Sequence, residues 1–167
     1  MRSEWKEVQG AYWQHPRGSG SDVTRKANHP VMLVSWDDAL AFCQWASQAT
    51  RQTVRLLTEA KWEKAARGPV EAACPDRLYP WGNERPDKTR CNFDYNVKGT
   101  TPVGQYSPRG DSPYGCADMA GNVWEWVADW YDEIRQCGIS LRLWYIIVRD
   151  DLAWFWQRIA FGQRIIG

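Results

Sequence analysis

The segment YGCADMAGNVWEWVADWY, residues 114–131, carries the side chains of this sequence that are best suited to holding an ion. Asp118 and Glu125 flank a Gly121-Asn122 pair, which favours a bend in the chain. Two carboxylates and the backbone carbonyls of a bend make the all-oxygen environment that Ca²⁺ requires. The alternative is that both carboxylates only accept hydrogen bonds from turn amides. The segment therefore predicts a calcium-binding bend, with that alternative open.

The other residue types that support chemistry are too dispersed to form a site by spacing. His15 and His29 lie too far apart in the sequence for a metal cluster. No glycine-rich phosphate loop and no Ser/His/Asp arrangement can be assigned from the pattern. The cysteines form no C-x-x-C pair and no zinc spacing, which favours reduced, individually buried thiols over disulfides. They are Cys43, Cys74, Cys91, Cys116 and Cys137.

Length and charge narrow the class of protein. A chain of 167 residues with 44% hydrophobic content is long enough for one sizeable core, so we expect one domain over residues 1–167. The net charge of +1 offers no basic surface for nucleic acid and no polybasic patch for membranes. No apolar run is long enough for a membrane span, and no signal peptide is recognised. These features predict a cytoplasmic protein without nucleic-acid or membrane partners.

Two helices and a short strand are predicted ahead of the bend. Val31, Leu33 and Val34 resemble a strand that leads into Ser35-Trp36-Asp37-Asp38, a capping box that begins a helix extending to about Ser47. Its apolar stripe is predicted at i, i+3, i+4 and i+7, comprising Ala39, Phe42, Cys43 and Ala46.

The second helix is predicted between Thr58, as its N-cap, and Gly68-Pro69, where glycine takes a left-handed conformation and proline cannot continue the helix. Trp62, Ala65 and Ala66 form its predicted buried stripe. Residues 70–120 lose periodicity and are rich in Pro and Gly, which indicates a long irregular region of the kind that function or bound ions maintain. Two helices, few strands and this region predict a mixed α+β domain.

Five segments, taken in order, resemble the motifs of one family. They are HPVMLVSWDDALAFCQWAS, RLLTEAKWEKAARG, YPWGN, TTPVGQYSP and YGCADMAGNVWEWVADWY. This order is similar to that of the formylglycine-generating enzyme and sulfatase-modifying-factor family, over residues 28–132. The resemblance implies a C-type-lectin-like fold with two helices, a small twisted sheet and much irregular loop.

The resemblance also implies ligands for calcium. One family site maps to the Asp118 side chain, the carbonyls of Gly121 and Val123, and the Glu125 side chain. A second family site would begin at Asn92-Phe93, but its other ligands lie in a loop that this chain shortens, where Asp94 and Asn96 could substitute. Calcium is therefore the expected cofactor.

The C-terminal segment, residues 134–167, departs from the family. The oxygen-dependent enzymes place two copper-binding cysteines here, whereas this segment has only Cys137. One thiol cannot form a two-thiolate Cu(I) site, so we expect neither copper nor formylglycine chemistry. The segment is rich in aromatic and aliphatic residues, as buried closing strands are.

The same residues can instead form an exposed face for a protein or glycan ligand. Lectin-type variable proteins diversified by retroelements resemble this family and vary in this stretch. The candidate ligand-binding residues are Trp144, Tyr145, Ile147, Trp154 and Trp156.

Three functional hypotheses remain. The first is a calcium-stabilised, lectin-like ligand-binding domain that lacks the catalytic cysteine pair. The second is a formylglycine-generating, sulfatase-modifying oxidoreductase that acts on a protein cysteine. The third is a structural remnant in which residues 134–167 only complete the core.

Overall fold

The computed structural model describes residues 7–69, 77–94 and 96–129. Two helices lie within these ranges, α1 (Trp36–Thr50) and α2 (Glu59–Arg67), and the described residues around them are turns, bends, isolated bridges and irregular backbone. No β-strand occurs in these ranges, where pairing is limited to isolated bridges such as Tyr79 with Gly82. Both predicted helices are confirmed. The predicted sheet is not found in the part of the chain that the structure describes.

The start of α1 is the predicted capping box. The Ser35 hydroxyl accepts from the backbone N–H of Asp38 at 3.1 Å, and the Asp38 carboxylate accepts from the backbone N–H of Ser35 at 2.8 Å. This second bond is also the main cause that lowers the pKa of Asp38. The helix ends three residues later than Ser47, at Thr50, and Arg51 follows with φ 55°. A cap that is closed within four residues explains why the helix start could be predicted.

The prediction that Phe42 belongs to the buried stripe of α1 is wrong. Cys43 and Ala46 are buried and Ala39 is half-buried, but Phe42 is 60% exposed. Its ring lies beside that of Trp45, 62% exposed, with 5.6 Å between the ring centroids. Residues three apart are neighbours on a helix surface, so the two rings cover each other on the outer face.

The predicted strand before α1 is also wrong. Leu33 has φ 56°, a left-handed conformation that turns the chain and prevents a continuous extended segment. Val31 and Leu33 are both more than half exposed. The segment is held instead by the indole N–H of Trp126, which donates to the carbonyl of Val34 at 3.0 Å.

Side chains and glycine also define the ends of α2. The Thr58 hydroxyl accepts from the N–H of Lys61, and the N–H of Gly68 donates to the carbonyl of Lys64 at 2.9 Å. Gly68 has the predicted positive φ, 84°, but its ψ of −172° is extended, so the left-handed conformation is not formed. A Cβ there would lie 2.8 Å from Cγ of Pro113, which makes glycine necessary for packing as well.

Burial along α2 follows the predicted stripe. Ala66 is buried, and Trp62 and Ala65 are half-buried. Among the described residues, no helix has the length and apolar character needed to cross a membrane.

A candidate calcium-binding corner

A sharp bend, residues 118–125, forms the corner of the irregular region. Three of its residues have positive φ, namely Asp118 at 54°, Gly121 at 82° and Asn122 at 62°. Left-handed residues that are close in sequence reverse the chain and direct successive peptide groups inward. The predicted bend at Gly121-Asn122 is therefore present, and it is wider than a two-residue turn.

Asn122 ties the corner to the segment around Thr101. Its side-chain oxygen accepts from the backbone N–H of Thr101 at 2.9 Å, and its side-chain nitrogen donates to the carbonyl of Thr101 at 3.2 Å. Thr101 is only 2% exposed, so water cannot replace these bonds easily. One amide side chain thus satisfies both backbone groups of a buried residue, as a neighbouring strand would.

Asn92 links a third segment to the same point. Its carbonyl accepts from the N–H of Asn122 at 2.8 Å, and its side-chain amide donates to the carbonyl of Gly99 at 2.7 Å. A Cβ added to Gly121 would lie only 2.3 Å from the same carbonyl oxygen of Asn92. Two predicted site residues, Asn92 and Gly121, are therefore in direct contact.

Phe93, the other predicted residue of the second site, is half-buried, and its carbonyl accepts from the N–H of Asn96 at 3.0 Å.

The two predicted carboxylates each accept a hydrogen bond through one oxygen. Oδ2 of Asp118 accepts from the backbone N–H of Gly104 at 2.7 Å. Oε2 of Glu125 accepts from the indole N–H of Trp62 at 2.6 Å. The Asp118 bond is the turn-amide contact of the alternative interpretation, whereas Glu125 contacts a side chain of α2. Neither bond uses the second oxygen of its carboxylate.

Residues 126–129, here called the strap, connect the corner to the starts of both helices. The indole N–H of Trp36 donates to the carbonyl of Val127 at 3.0 Å, close to the start of α1. The N–H of Ala128 donates to the carbonyl of Leu57 at 2.8 Å. Oδ2 of Asp129 accepts from the N–H of Glu59 at 2.6 Å, which caps α2 from 70 residues away.

The acidic groups around that cap affect one another. The pKa of Glu59 is raised by partial burial first, and then by the carboxylates of Asp129 and Glu63. Like charges disfavour ionisation of the Glu59 carboxyl, while the helix N-terminus favours a negative charge. The sequence did not reveal this cap, because the residues involved are far apart.

The described thiols are Cys43, Cys91 and Cys116, and all three are free. Cys43 and Cys91 are buried and Cys116 is half-buried. Burial, followed by the nearby Asp87 carboxylate, raises the pKa of the Cys91 thiol to about 12. A thiol that stays protonated is a poor nucleophile and a poor metal ligand.

Within the described ranges, no group of three or more His, Cys, Asp or Glu side chains could hold a metal ion. A cation at the corner would therefore depend on backbone carbonyls in addition to Asp118 and Glu125. The remaining predicted positions lie outside the described residues, and they are Cys74, Cys137, Trp144, Tyr145, Ile147, Trp154 and Trp156.

Two functional contacts were missed by sequence reasoning. Asn122 was interpreted only as a bend residue, and Trp62 only as a buried residue. An asparagine in a bend and a tryptophan on a helix both have polar groups that need partners, which was the available signal. The sequence could not identify those partners, which lie 21 and 63 residues away.

Comparison with known proteins identifies the same family as the order of the sequence motifs. A family model described as a sulfatase-modifying factor enzyme 1-like domain matches residues 1–158. A formylglycine-generating enzyme of Thermomonospora curvata is 44% identical over 140 residues, which cover 76% of this chain and 42% of the relative. An inactive Cα-formylglycine-generating enzyme 2 of Bos taurus is 37% identical over 142 residues, covering 79% and 43% respectively.

Among solved structures, PvdO from Pseudomonas aeruginosa matches with a TM-score of 0.50 and 29% identity, over 63% of this chain and 40% of that chain. The chain thus spans less than half the length of these relatives. With a family model that matches nearly the whole sequence, the chain belongs to the sulfatase-modifying factor family, whose relatives include formylglycine-generating enzymes.

Proposed function

We propose that this chain is a calcium-stabilised, lectin-like ligand-binding domain of the family that does not generate formylglycine. The observation that carries the proposal is the corner itself. In the part of the chain that the structure describes, Asp118 and Glu125 each keep one oxygen outside their hydrogen bonds, on a bend that Asn122 fastens to Thr101. A bend of this kind can present backbone carbonyls beside two carboxylates, so a calcium site there needs no large group of acidic side chains.

The donor set fits Ca²⁺ in chemical type. Calcium takes six to eight oxygen ligands and accepts carboxylates, carbonyls and water together. Gly121 and Val123 are half-buried residues, and within the described ranges no hydrogen bond is found to their carbonyl oxygens. Asp118, Gly121, Val123 and Glu125 would hold the ion, which would replace missing hydrogen-bond partners at the bend.

A second calcium site at Asn92-Phe93 is a smaller part of the proposal. The side-chain nitrogen of Asn92 is used by Gly99, which leaves its side-chain oxygen for a cation. The carbonyl oxygen of Phe93 already accepts a hydrogen bond from the backbone N–H of Asn96, so a cation would bind to its second lone pair.

The ligand-binding part of the proposal rests on composition. Trp144, Tyr145, Ile147, Trp154 and Trp156 combine large contact area with few rotatable bonds, as residues of adaptable binding faces do. A protein or glycan surface is the class of ligand that such a face suits. Positional variation of the retroelement type would act on this segment.

The second candidate is a formylglycine-generating oxidoreductase that acts on a protein cysteine. The identity of 44% to an enzyme with that name favours it. Two facts about this chain oppose it. Residues 117–167 contain a single cysteine, Cys137, and the buried Cys91 thiol stays protonated at neutral pH. A relative named as inactive also has 37% identity, so similarity of this degree does not establish the activity.

Calcium titration calorimetry tests the first candidate. We expect the wild-type chain to bind Ca²⁺, and Asp118→Asn to bind at least about tenfold more weakly, because one ligand charge is lost. Asparagine can still accept from the Gly104 N–H, so the turn itself is retained. The matched control is Asp111→Asn, which changes a carboxylate that is bonded to Ser107. Equal affinity of Asp118→Asn and Asp111→Asn would overturn the site.

A product assay separates the two candidates. The chain, loaded with copper, is incubated with oxygen and a cysteine-containing sulfatase peptide, and the peptide mass is measured. We expect no aldehyde product. An aldehyde that depends on copper would establish the enzyme and reject the non-catalytic proposal.

A further inference from the structure

The contact between Trp62 and Glu125 joins α2 to the corner. The indole Nε1 of Trp62 donates to Oε2 of Glu125 at 2.6 Å, across 63 residues of sequence. An indole N–H can only donate, and a carboxylate can only accept, so the bond has one possible polarity. A hydrogen bond to a charged acceptor is also among the stronger ones in proteins.

Two further contacts fix the position from which Trp62 donates. The strap bonds Leu57 through the N–H of Ala128, and it bonds the first residue of α2 through the Asp129 carboxylate. Trp62 lies three residues after Glu59, so both are on the same face of the helix. The strap therefore anchors the start of α2, the helix that carries the Trp62 donor.

This arrangement has a consequence for the orientation of Glu125. A glutamate side chain that is exposed in solution samples many rotamers, and ion binding must select one of them. The Trp62 bond restricts that choice and engages one oxygen, which leaves Oε1 for a cation. Groups that orient a metal ligand in this way typically change metal affinity by about 10–100-fold.

We propose that Trp62 is a positioning residue for calcium, which acts by orienting Glu125, and that calcium binding is thereby coupled to the seating of α2. The inference rests on the calcium site proposed above. It adds a residue that is neither acidic nor part of the bend. It also links the site to a helix that is distant in sequence.

The test compares substitutions that separate the N–H from the ring. Trp62→Phe keeps a six-membered aromatic ring and loses the donor, whereas Trp62→His keeps a ring N–H near the place of Nε1 and loses ring area. Calcium affinity is measured by calorimetry at pH 8, where histidine is neutral, and melting temperature is measured in EDTA. We expect Trp62→Phe to weaken calcium binding by about tenfold. Trp62→His should bind calcium more tightly than Trp62→Phe even though it melts lower.

A matched control variant is Trp81→Phe. Trp81 also uses its indole N–H, donating to the carbonyl of Glu84 at 2.9 Å, but it contacts neither Glu125 nor α2 through that bond. Its calcium affinity should equal that of the wild type. Equal affinities of Trp62→Phe and Trp81→Phe, in a wild type that binds calcium, would overturn this inference and leave the proposed site intact. A wild type that binds no calcium would overturn both.

A double-mutant cycle with Glu125→Gln shows whether Trp62 acts through Glu125. If it does, Trp62→Phe should weaken calcium binding much less in the Glu125→Gln background than in the wild type. The same fold-loss in both backgrounds would mean that Trp62 affects calcium through general packing, which contradicts the proposal.

Discussion

The two helices and the corner are held together in different ways. The start of α1 is closed by Ser35 and Asp38, which lie three residues apart. The corner is closed by Asn122, whose partners Thr101 and Asn92 lie 21 and 30 residues away. The start of α1 is a local structure, whereas the candidate site exists only when three distant segments meet. Substitutions in the corner should therefore cost more than substitutions at a helix cap.

The largest effect is expected for Gly121→Ala. The new Cβ would lie 2.3 Å from the carbonyl oxygen of Asn92, and φ is 82°. Left-handed strain and overpacking against backbone together should lower the free energy of unfolding by about 4 kcal/mol. Gly115→Ala is the matched control, because its φ is 75° with nothing within 4 Å, and it should cost about 1 kcal/mol. Equal losses in urea unfolding would show that the Asn92 contact is unimportant.

Asn122→Ala should have the next largest effect. It leaves the N–H and the carbonyl of the buried Thr101 without partners, and we expect a loss of about 3 kcal/mol. Asn96→Ala is the control, since Asn96 is exposed and its side chain makes one long contact of 3.5 Å. Urea unfolding measures both variants. A loss for Asn122→Ala no larger than that of Asn96→Ala would contradict the role of Asn122.

Ser35→Ala tests the cap at the start of α1, which is closed by residues close in sequence. The substitution removes the acceptor for the Asp38 N–H, and an N-cap of this kind contributes about 1 kcal/mol. The same urea experiment should therefore rank Ser35→Ala well below Asn122→Ala. The reverse order would mean that the helix start, and not the corner, limits the stability of the domain.

Alkaline pH gives a predicted effect that is absent at neutral pH and develops only above pH 9. The Cys91 thiol has an ordinary pKa of 9.0, and burial raises it to about 12 in the folded chain. Above pH 9 the unfolded chain loses a proton that the folded chain keeps, so stability is full below pH 9 and falls as the pH rises towards 12. Burial also raises the pKa of Tyr79, which acts in the same direction. The urea midpoint of Cys91→Ala should therefore fall less steeply between pH 8 and pH 10 than that of the wild type. Identical slopes would contradict the shift at Cys91.

The comparison also explains which parts of the structure could be predicted. The starts of both helices and the end of α2 follow from residues within one turn of each other, so Ser35, Thr58 and Gly68 were sufficient to place them. The end of α1 and the contact of Asp129 with α2 have no such local signal. Leu33 was misinterpreted because an apolar run carries no information about one left-handed residue within it. Phe42 was misinterpreted because helical spacing defines a stripe, but not how far the core extends across it.

The contacts of the corner could not be derived in this way. The motif order indicated the candidate ligands Asp118 and Glu125, because a family pattern retains spacing. It did not indicate that Asn122 supports Thr101 or that Trp62 contacts Glu125, since the partner of a side-chain polar group depends on the whole fold.

The most direct test of the central claim is the melting temperature of the wild-type chain in EDTA and in increasing Ca²⁺, with Mg²⁺ as the comparison ion. Binding to the folded state alone raises the free energy of unfolding, by about 2.7 kcal/mol at a hundredfold excess over the dissociation constant, so the melting temperature rises with concentration. The calcium-stabilised corner predicts a rise with Ca²⁺ that continues with concentration, and a smaller rise with Mg²⁺, which prefers a tighter octahedral site. The same melting temperature in EDTA and in millimolar Ca²⁺ would contradict it.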